Sequence, residues 1–295
     1  MALIQQFDYA KPKSLDETFG LLSRHEEAFL LAGGTDLIDL MREGAIRPGI
    51  VVDIKGLDAL NGISFENNAL FIGANATFSD LIASKLIADK FPVIVELAKT
   101  VASVGIRNRA TVVGNICSSV PCMDSGPLLS SYDGVVMTAG PKGKRNIPAE
   151  QWFIAPRKTS IQKGEIVTGV SLPYPKSKHA GCWVKLGRYA GEDLAQVNLL
   201  ILALADGTFR ISFGAVAPVP VRAKKLEALL NGQRITSSLI EQAAQLIEEE
   251  IKPITDVRAS KEYRMHMAKV MFERGLKAAL SRLNGGGPEY GTSVI

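Results

Sequence analysis

The chain has 295 residues, of which 46% are hydrophobic and 22% charged, with a formal net charge of +4. That balance suits a soluble globular protein long enough for two domains and excludes a disordered or fibrous chain. No run approaches the ~18 uninterrupted apolar residues of a membrane-spanning helix, and the basic residues never form the clustered face that nucleic acid requires.

The N-terminus, MALIQQFDYAKPKSLDE, has neither the basic start nor the apolar core of a secretory signal, so a cytoplasmic location is expected. The three cysteines, Cys117, Cys122 and Cys182, are too few for a disulfide scaffold. Cys117 and Cys122 have the spacing of one iron–sulfur type, but that type needs two further cysteines and only Cys182 remains. No metal site is expected, and the thiols read as small, buried or half-buried groups.

Residues 1–60 read as strand, helix, strand, helix, strand. The run 27–32 (EAFLLA) is a buried strand that meets Gly33 and Gly34. Residues 36–43 place Leu37, Ile38, Leu40 and Met41 at helical spacing before Gly44, and 49–54 (GIVVDI) is a further strand. From about residue 61 a second segment begins, with a strand at 70–74, a short helix at 80–87 and a longer one at 92–102, started by Pro92 at its permitted position. Residues 104–128 are rich in Gly, Pro and small polar groups and read as a long functional loop. Strands at 135–139 and 166–172 close this segment, and Lys176-Ser177-Lys178 reads as a polar hinge.

Beyond the hinge, 181–186, 197–204 and 209–216 predict a three-stranded meander with a turn at Asp206-Gly207. Helices follow at 238–251, with a serine cap, and at 263–282, separated by Pro253. Strands followed by helices predict an α+β C-terminal domain over 177–284. The tail 285–295 (GGGPEYGTSVI) reads as disordered or expression-derived. The N-terminal domain spans 1–176, in two subdomains of about 1–60 and 61–176.

Two segments carry chemistry. In Ala32-Gly33-Gly34-Thr35-Asp36-Leu37, two residues without side-chain bulk precede a helix, which is the arrangement that brings backbone N–H groups close to a phosphate. An ordinary strand–helix turn uses the same residues. In the second segment, Ala110, Thr111, Gly114, Asn115, Ser118 and Asp124 combine one close-approach glycine with short polar groups suited to phosphate and ribityl or ribose oxygens. A structural crossover with Asn115 and Asp124 capping turns is the other reading. The nicotinamide fingerprint G-x-G-x-x-G is absent, so a doubly wound dinucleotide domain has no support.

The pair AGGTDL and IRNRATVVGNI, followed by Pro121, Asp124, Pro127 and Leu128, resembles the FAD-binding (medium) subunit of the molybdenum hydroxylases, the xanthine dehydrogenase, carbon monoxide dehydrogenase and aldehyde oxidoreductase enzymes. The likeness runs from Phe7-Asp8-Tyr9 to residues 258–264 (RASKEYR). It implies an α+β fold: a two-subdomain FAD-binding domain of the PCMH/vanillyl-alcohol-oxidase type, then a smaller α+β domain with a three-stranded sheet. Position by position it implies that Leu30, Leu31, Ala32, Gly33, Gly34, Thr35, Asp36 and Leu37 form the first diphosphate loop. Ala110, Thr111, Gly114 and Asn115 form the second loop, and Val101, Ser118 and Asp124 make further FAD contacts. Val167 falls at a backbone contact to the flavin's outer edge and Lys185 at a basic position near the ring. Residues 188–195 match a mobile stretch beside the isoalloxazine, with Tyr189 and Asp193 shaping that face. One departure is Val113-Gly114, where the family often has Gly-Gly; no cysteine-bearing insertion for an additional cluster is present.

The resemblance further implies that the molybdenum cofactor and 2Fe–2S clusters belong to a large and a small partner subunit in a dimer of heterotrimers. FAD in this chain would pass electrons from those clusters to NAD+ or another acceptor. No general acid or base is called for, and His25, His179 and His266 read as surface or packing residues. A free-standing FAD-dependent oxidoreductase with its own substrate, and a flavin-free scaffold with decayed loops, are the alternatives.

Overall fold

The computed structural model describes residues 5–189 and 193–295. The first subdomain is β1 (Asp8–Ala10), α1 (Leu15–Arg24), β2 (Ala28–Leu31), α2 (Thr35–Arg42) and β3 (Ile50–Asp53). The strands form a parallel sheet in the order β1-β3-β2. All four residues of β3 are buried because it is the central strand. Ser14 starts α1 by accepting a hydrogen bond from the Glu17 N–H.

In the second subdomain, β4 (Ile63–Glu66) and β5 (Ala69–Gly73) precede a helical stretch: α3 (Phe78–Ala83), α4 (Lys85–Lys90), α5 (Pro92–Lys99), α6 (Val104–Arg107), α7 (Val112–Ser118) and α8 (Ser125–Ser131). Then come β6 (Val135–Gly140), β7 (Gly143–Pro148), α9 (Ala149–Trp152), β8 (Phe153–Ala155), β9 (Lys158–Thr159) and β10 (Ile166–Pro173). An antiparallel sheet runs β4-β5-β10-β6-β7. Two expectations are corrected here. The helix expected at 80–87 is two helices, because Ser84 ends α3 and its side chain caps α4. The expected long loop at 104–128 is three short helices, two of them started by hydroxyl caps at Ser103 and Thr111.

The C-terminal domain opens with β11 (His179–Leu186), β12 (Val197–Leu204), β13 (Phe209–Gly214) and β14 (Val221–Arg222), an antiparallel sheet of four strands where three were expected. The fourth, of two residues, is too short to leave a periodic signal. Helices α10 (Lys224–Leu230), α11 (Ser237–Glu250) and α12 (Lys261–Leu283) cover one face. Thr236, not a serine, caps α11. Every residue of β12 is buried. Leu200, Leu202 and Leu204 pack into the core shared with the N-terminal domain, while Leu199, Ile201 and Ala203 pack against the helices. A strand covered on both faces needs no polar alternation, which explains its continuous apolar run. The region read as a hinge therefore joins two domains that share a core.

The tail is a correction as well. Arg282 donates to the Pro288 and Glu289 carbonyls, its guanidinium lies 4.2 Å from the Tyr290 ring centroid, and the Tyr290 hydroxyl accepts from the Gly181 N–H. The Gly291 N–H donates to Glu96. Glu96 on α5 also receives both terminal nitrogens of Arg282 and the Trp183 N–H. Buried partners hold the residues around Tyr290 in place, so this part of the tail is ordered.

Candidate functional site

A cavity of about 540 Å³ opens where the two subdomains and the C-terminal domain meet, a size within the range of cofactor clefts. Its first wall is the β2–α2 turn. Gly34 sits at φ +79° and starts α2 with no side-chain cap, so the first-turn N–H groups of Thr35, Asp36 and Leu37 have no side-chain partner where these residues line the cavity. The glycines serve packing more than ligand approach. A Cβ on Gly33 would stand 2.1 Å from the Arg109 carbonyl oxygen, so Gly33 lets the second loop lie directly against the first. A Cβ on Gly34 would meet Leu31 at 2.7 Å, in a backbone conformation that favours glycine anyway.

The opposite wall is α7 and the segment before α8. Thr111 caps α7, its hydroxyl accepting from the Gly114 N–H at 2.8 Å. The Asn115 Oδ1 accepts from the Ser125 N–H at 3.0 Å and so caps α8 across the fold. Asp124 occupies the N-cap position of α8 without capping it. Its carboxylate turns instead to Lys185 on β11, 2.6 Å away, and to the Asn198 amide on β12 at 2.9 Å. The structural reading of Asn115 is thus realised in the geometry, and that of Asp124 is not. Burial pushes the Asp124 carboxyl up from its ordinary value, against the opposing pull of the Lys185 ammonium and the Asn198 amide.

Of the residues singled out in the sequence, Leu30, Ala32, Gly33, Gly34, Thr35, Asp36, Leu37, Val101, Ala110, Thr111, Gly114, Asn115, Ser118, Asp124, Lys185 and Asp193 come together around this cavity. Leu31, Val167 and Tyr189 are not among its lining. Leu31 packs behind the turn. Val167 is buried in β10, paired with Thr138 of β6. Tyr189 is 67% exposed, with the Arg188 guanidinium 5.8 Å from its ring centroid. Residues 190–192 of the stretch expected to be mobile lie outside the described residues. Asp193 resists its burial penalty because the Arg188, Leu194 and Tyr189 N–H groups hold its carboxyl below the usual range.

Sequence reasoning missed Phe78, Ala102, Ile106, Val120, Met123 and Leu194, all of which line the cavity. Phe78 is delivered by a long-range contact, its N–H donating to the Ala110 carbonyl, which leaves no local signal. Arg107 clamps the carbonyls of Val101 and Ala102, at 2.8 and 2.6 Å, and Ala102 adopts φ +38°. Leu194, 48% exposed, lies in the 188–195 stretch that the resemblance sets beside the isoalloxazine, but only Tyr189 and Asp193 are singled out there.

This arrangement fits a flavin dinucleotide. Two loops in van der Waals register, a helix start without a side-chain cap and short polar side chains line one cleft, and backbone dipoles provide the positive potential a diphosphate needs. Among the described lining residues Lys185 is the only cation.

Comparison with known proteins agrees. Residues 5–175 match the family "FAD binding domain in molybdopterin dehydrogenase", and 184–279 match "CO dehydrogenase flavoprotein C-terminal domain". The carbon monoxide dehydrogenase medium chain of Afipia carboxidovorans is 31% identical, over 94% of this chain and 97% of that one. The putative xanthine dehydrogenase FAD-binding subunit of Escherichia coli K12 is 30% identical, over 95% and 99%. The solved carbon monoxide dehydrogenase of Hydrogenophaga pseudoflava superposes with a TM-score of 0.91 at 31% identity, covering 96% of this chain and 99% of that one. The chain belongs to the family of FAD-binding medium subunits of the molybdenum hydroxylases.

Proposed function

We propose that the chain is the electron-transfer flavoprotein of a multi-subunit molybdenum hydroxylase, in which a large subunit holds the molybdenum cofactor and a small one the 2Fe–2S clusters. With FAD bound, the chain would relay electrons from those clusters to NAD+ or another acceptor. The observation that carries this reading is the end-to-end likeness to medium chains of such enzymes together with a cleft built from two apposed loops. The flavin supplies the redox chemistry; the protein binds, orients and shields it. Thr35, Asp36 and Leu37 offer backbone N–H groups to the diphosphate, Asn115 and Ser118 offer polar contacts beside it, and the C-terminal domain closes the cleft through Lys185, Asp193 and Leu194. The complex is a cytoplasmic dimer of heterotrimers; among the described residues no helix is long and apolar enough to cross a membrane.

Affinity purification of the tagged chain from its native host tests this reading. Two co-purifying subunits that carry molybdenum and iron–sulfur clusters, with bound FAD, are expected. FAD-dependent turnover by the chain alone would overturn it in favour of a free-standing oxidoreductase.

A further inference from the structure

The single cation in the described cavity lining is not free. The Lys185 Nζ lies 2.6 Å from the Asp124 Oδ2 and donates to the Thr100 carbonyl at 3.0 Å. The Asn198 Nδ2 holds the other carboxylate oxygen at 2.9 Å and reaches the Met123 carbonyl at 3.2 Å. Both side chains of the ion pair are 8% exposed. The pair also joins the domains, since Asp124 heads α8 while Lys185 and Asn198 belong to β11 and β12. The other carboxylates of the lining, on Asp36, Asp39 and Asp193, make no ion pair with Lys185; Asp193 is tied to the backbone of Arg188, Tyr189 and Leu194.

We propose that Asp124 and Lys185 act on the flavin as one neutral unit, with Asp124 masking the charge that Lys185 would otherwise present to it. This rests on the reading of the cavity as the FAD site. Two-electron reduction with uptake of one proton leaves a flavin negatively charged near neutral pH, so a bare cation in the wall would favour the reduced form and a bare anion would oppose it. Close pairing cancels most of this field at distances large compared with the 2.6 Å that separates the two charges. The pair thereby anchors the C-terminal domain to the cleft without raising the potential, which suits a flavin that must hand its electrons on. Asp124 and Lys185 are in this sense compensating residues, and their effects on the cofactor are opposite in sign and cancel when both charges are removed.

The test is a double-mutant cycle on the full-length chain loaded with FAD, reduced stepwise with dithionite in the presence of mediator dyes. Asp124→Asn should shift the flavin midpoint potential upward and Lys185→Met, measured at a pH high enough to keep the buried Asp124 carboxyl ionised, downward, and the double variant should return to the wild-type value. Singles that shift in the same direction, singles that leave the potential unmoved, or a double variant as displaced as either single would overturn the proposal. If the singles do not fold, the neutral double variant decides: FAD bound at the wild-type potential supports it, and a displaced potential overturns it. Wild-type chain that takes up no FAD would instead overturn the reading of the cavity, a result separable from any change in potential.

Discussion

Among the described residues, two buried ion pairs fasten the C-terminal domain to the N-terminal one, and they differ in what surrounds them. Glu96–Arg282 lies at the back of the interface, where Glu96 accepts from the Trp183 and Gly291 N–H groups as well as from the guanidinium, and the tail closes over it. Asp124–Lys185 lies in the cavity wall with fewer partners and with the cleft on one side. The chain links them: Glu96 belongs to α5, and Thr100, at the C-cap of α5, accepts from the Trp183 indole and, through its carbonyl, from Lys185. A saturated pair enclosed by protein specifies domain docking. A pair beside a cleft does the same while also setting the electrostatics of what the cleft holds. Burial alone therefore does not separate structural from functional charge; the neighbouring empty volume does.

This comparison can be broken by experiment, beginning with the largest effect. Glu96→Ala leaves Arg282 buried without its counter-ion and should lower stability by ~3–5 kcal/mol. Denaturant titration should show the same loss in FAD-free and FAD-loaded protein, and a loss that disappears on adding FAD would contradict a purely structural role. Gly33→Ala drives a methyl into the Arg109 carbonyl and should cost about 1–3 kcal/mol as an overpacking change. Because it parts the two loops, FAD affinity measured by flavin fluorescence should drop alongside; unchanged affinity would mean that the loop contact does not shape the cleft.

His179 offers a third contact across the same interface, beside the Tyr132 hydroxyl at 3.4 Å and with its Nδ1 unpartnered. Burial, with a smaller contribution from the Arg210 cation, lowers its pKa from 6.5 to about 4. The unfolded chain therefore takes up the proton first as pH falls. The stability this group contributes is complete above about pH 6.5 and declines towards pH 4. Wild type should lose on the order of 3 kcal/mol more than His179→Asn across that window, and parallel curves for the two would remove His179 from the balance. Smallest is Gly34→Ala, where the left-handed backbone costs ~1 kcal/mol; its Tm should fall by a few degrees, and an unchanged Tm would contradict the strain assigned to that turn.

Much of the site was legible because its residues cluster in two short segments. The turn at Gly33-Gly34 followed by amphipathic α2 is a local signal, and the first subdomain's alternation of strands and helices emerged for the same reason. What could not be read was non-local. Nothing near Gly33 says that its missing side chain makes room for Arg109, and nothing near Asp124 names Lys185, sixty-one residues away, as its partner. Helices α6 and α7, of four and seven residues, are too short for periodicity to rise above their Gly and Ser content, so the segment looked like a loop. The tail misled through composition: its glycines suggest disorder, whereas Tyr290 and the backbone around it are held by Arg282 and Glu96.

The central claim is that the cleft between the two loops holds the FAD through backbone N–H groups. Amide hydrogen exchange of the full chain with and without FAD tests it most directly. Slowed exchange at residues 33–37 and 111–115 together, with a smaller effect at 193–194, is the predicted result. Protection confined to other regions, with these amides unchanged, would contradict it.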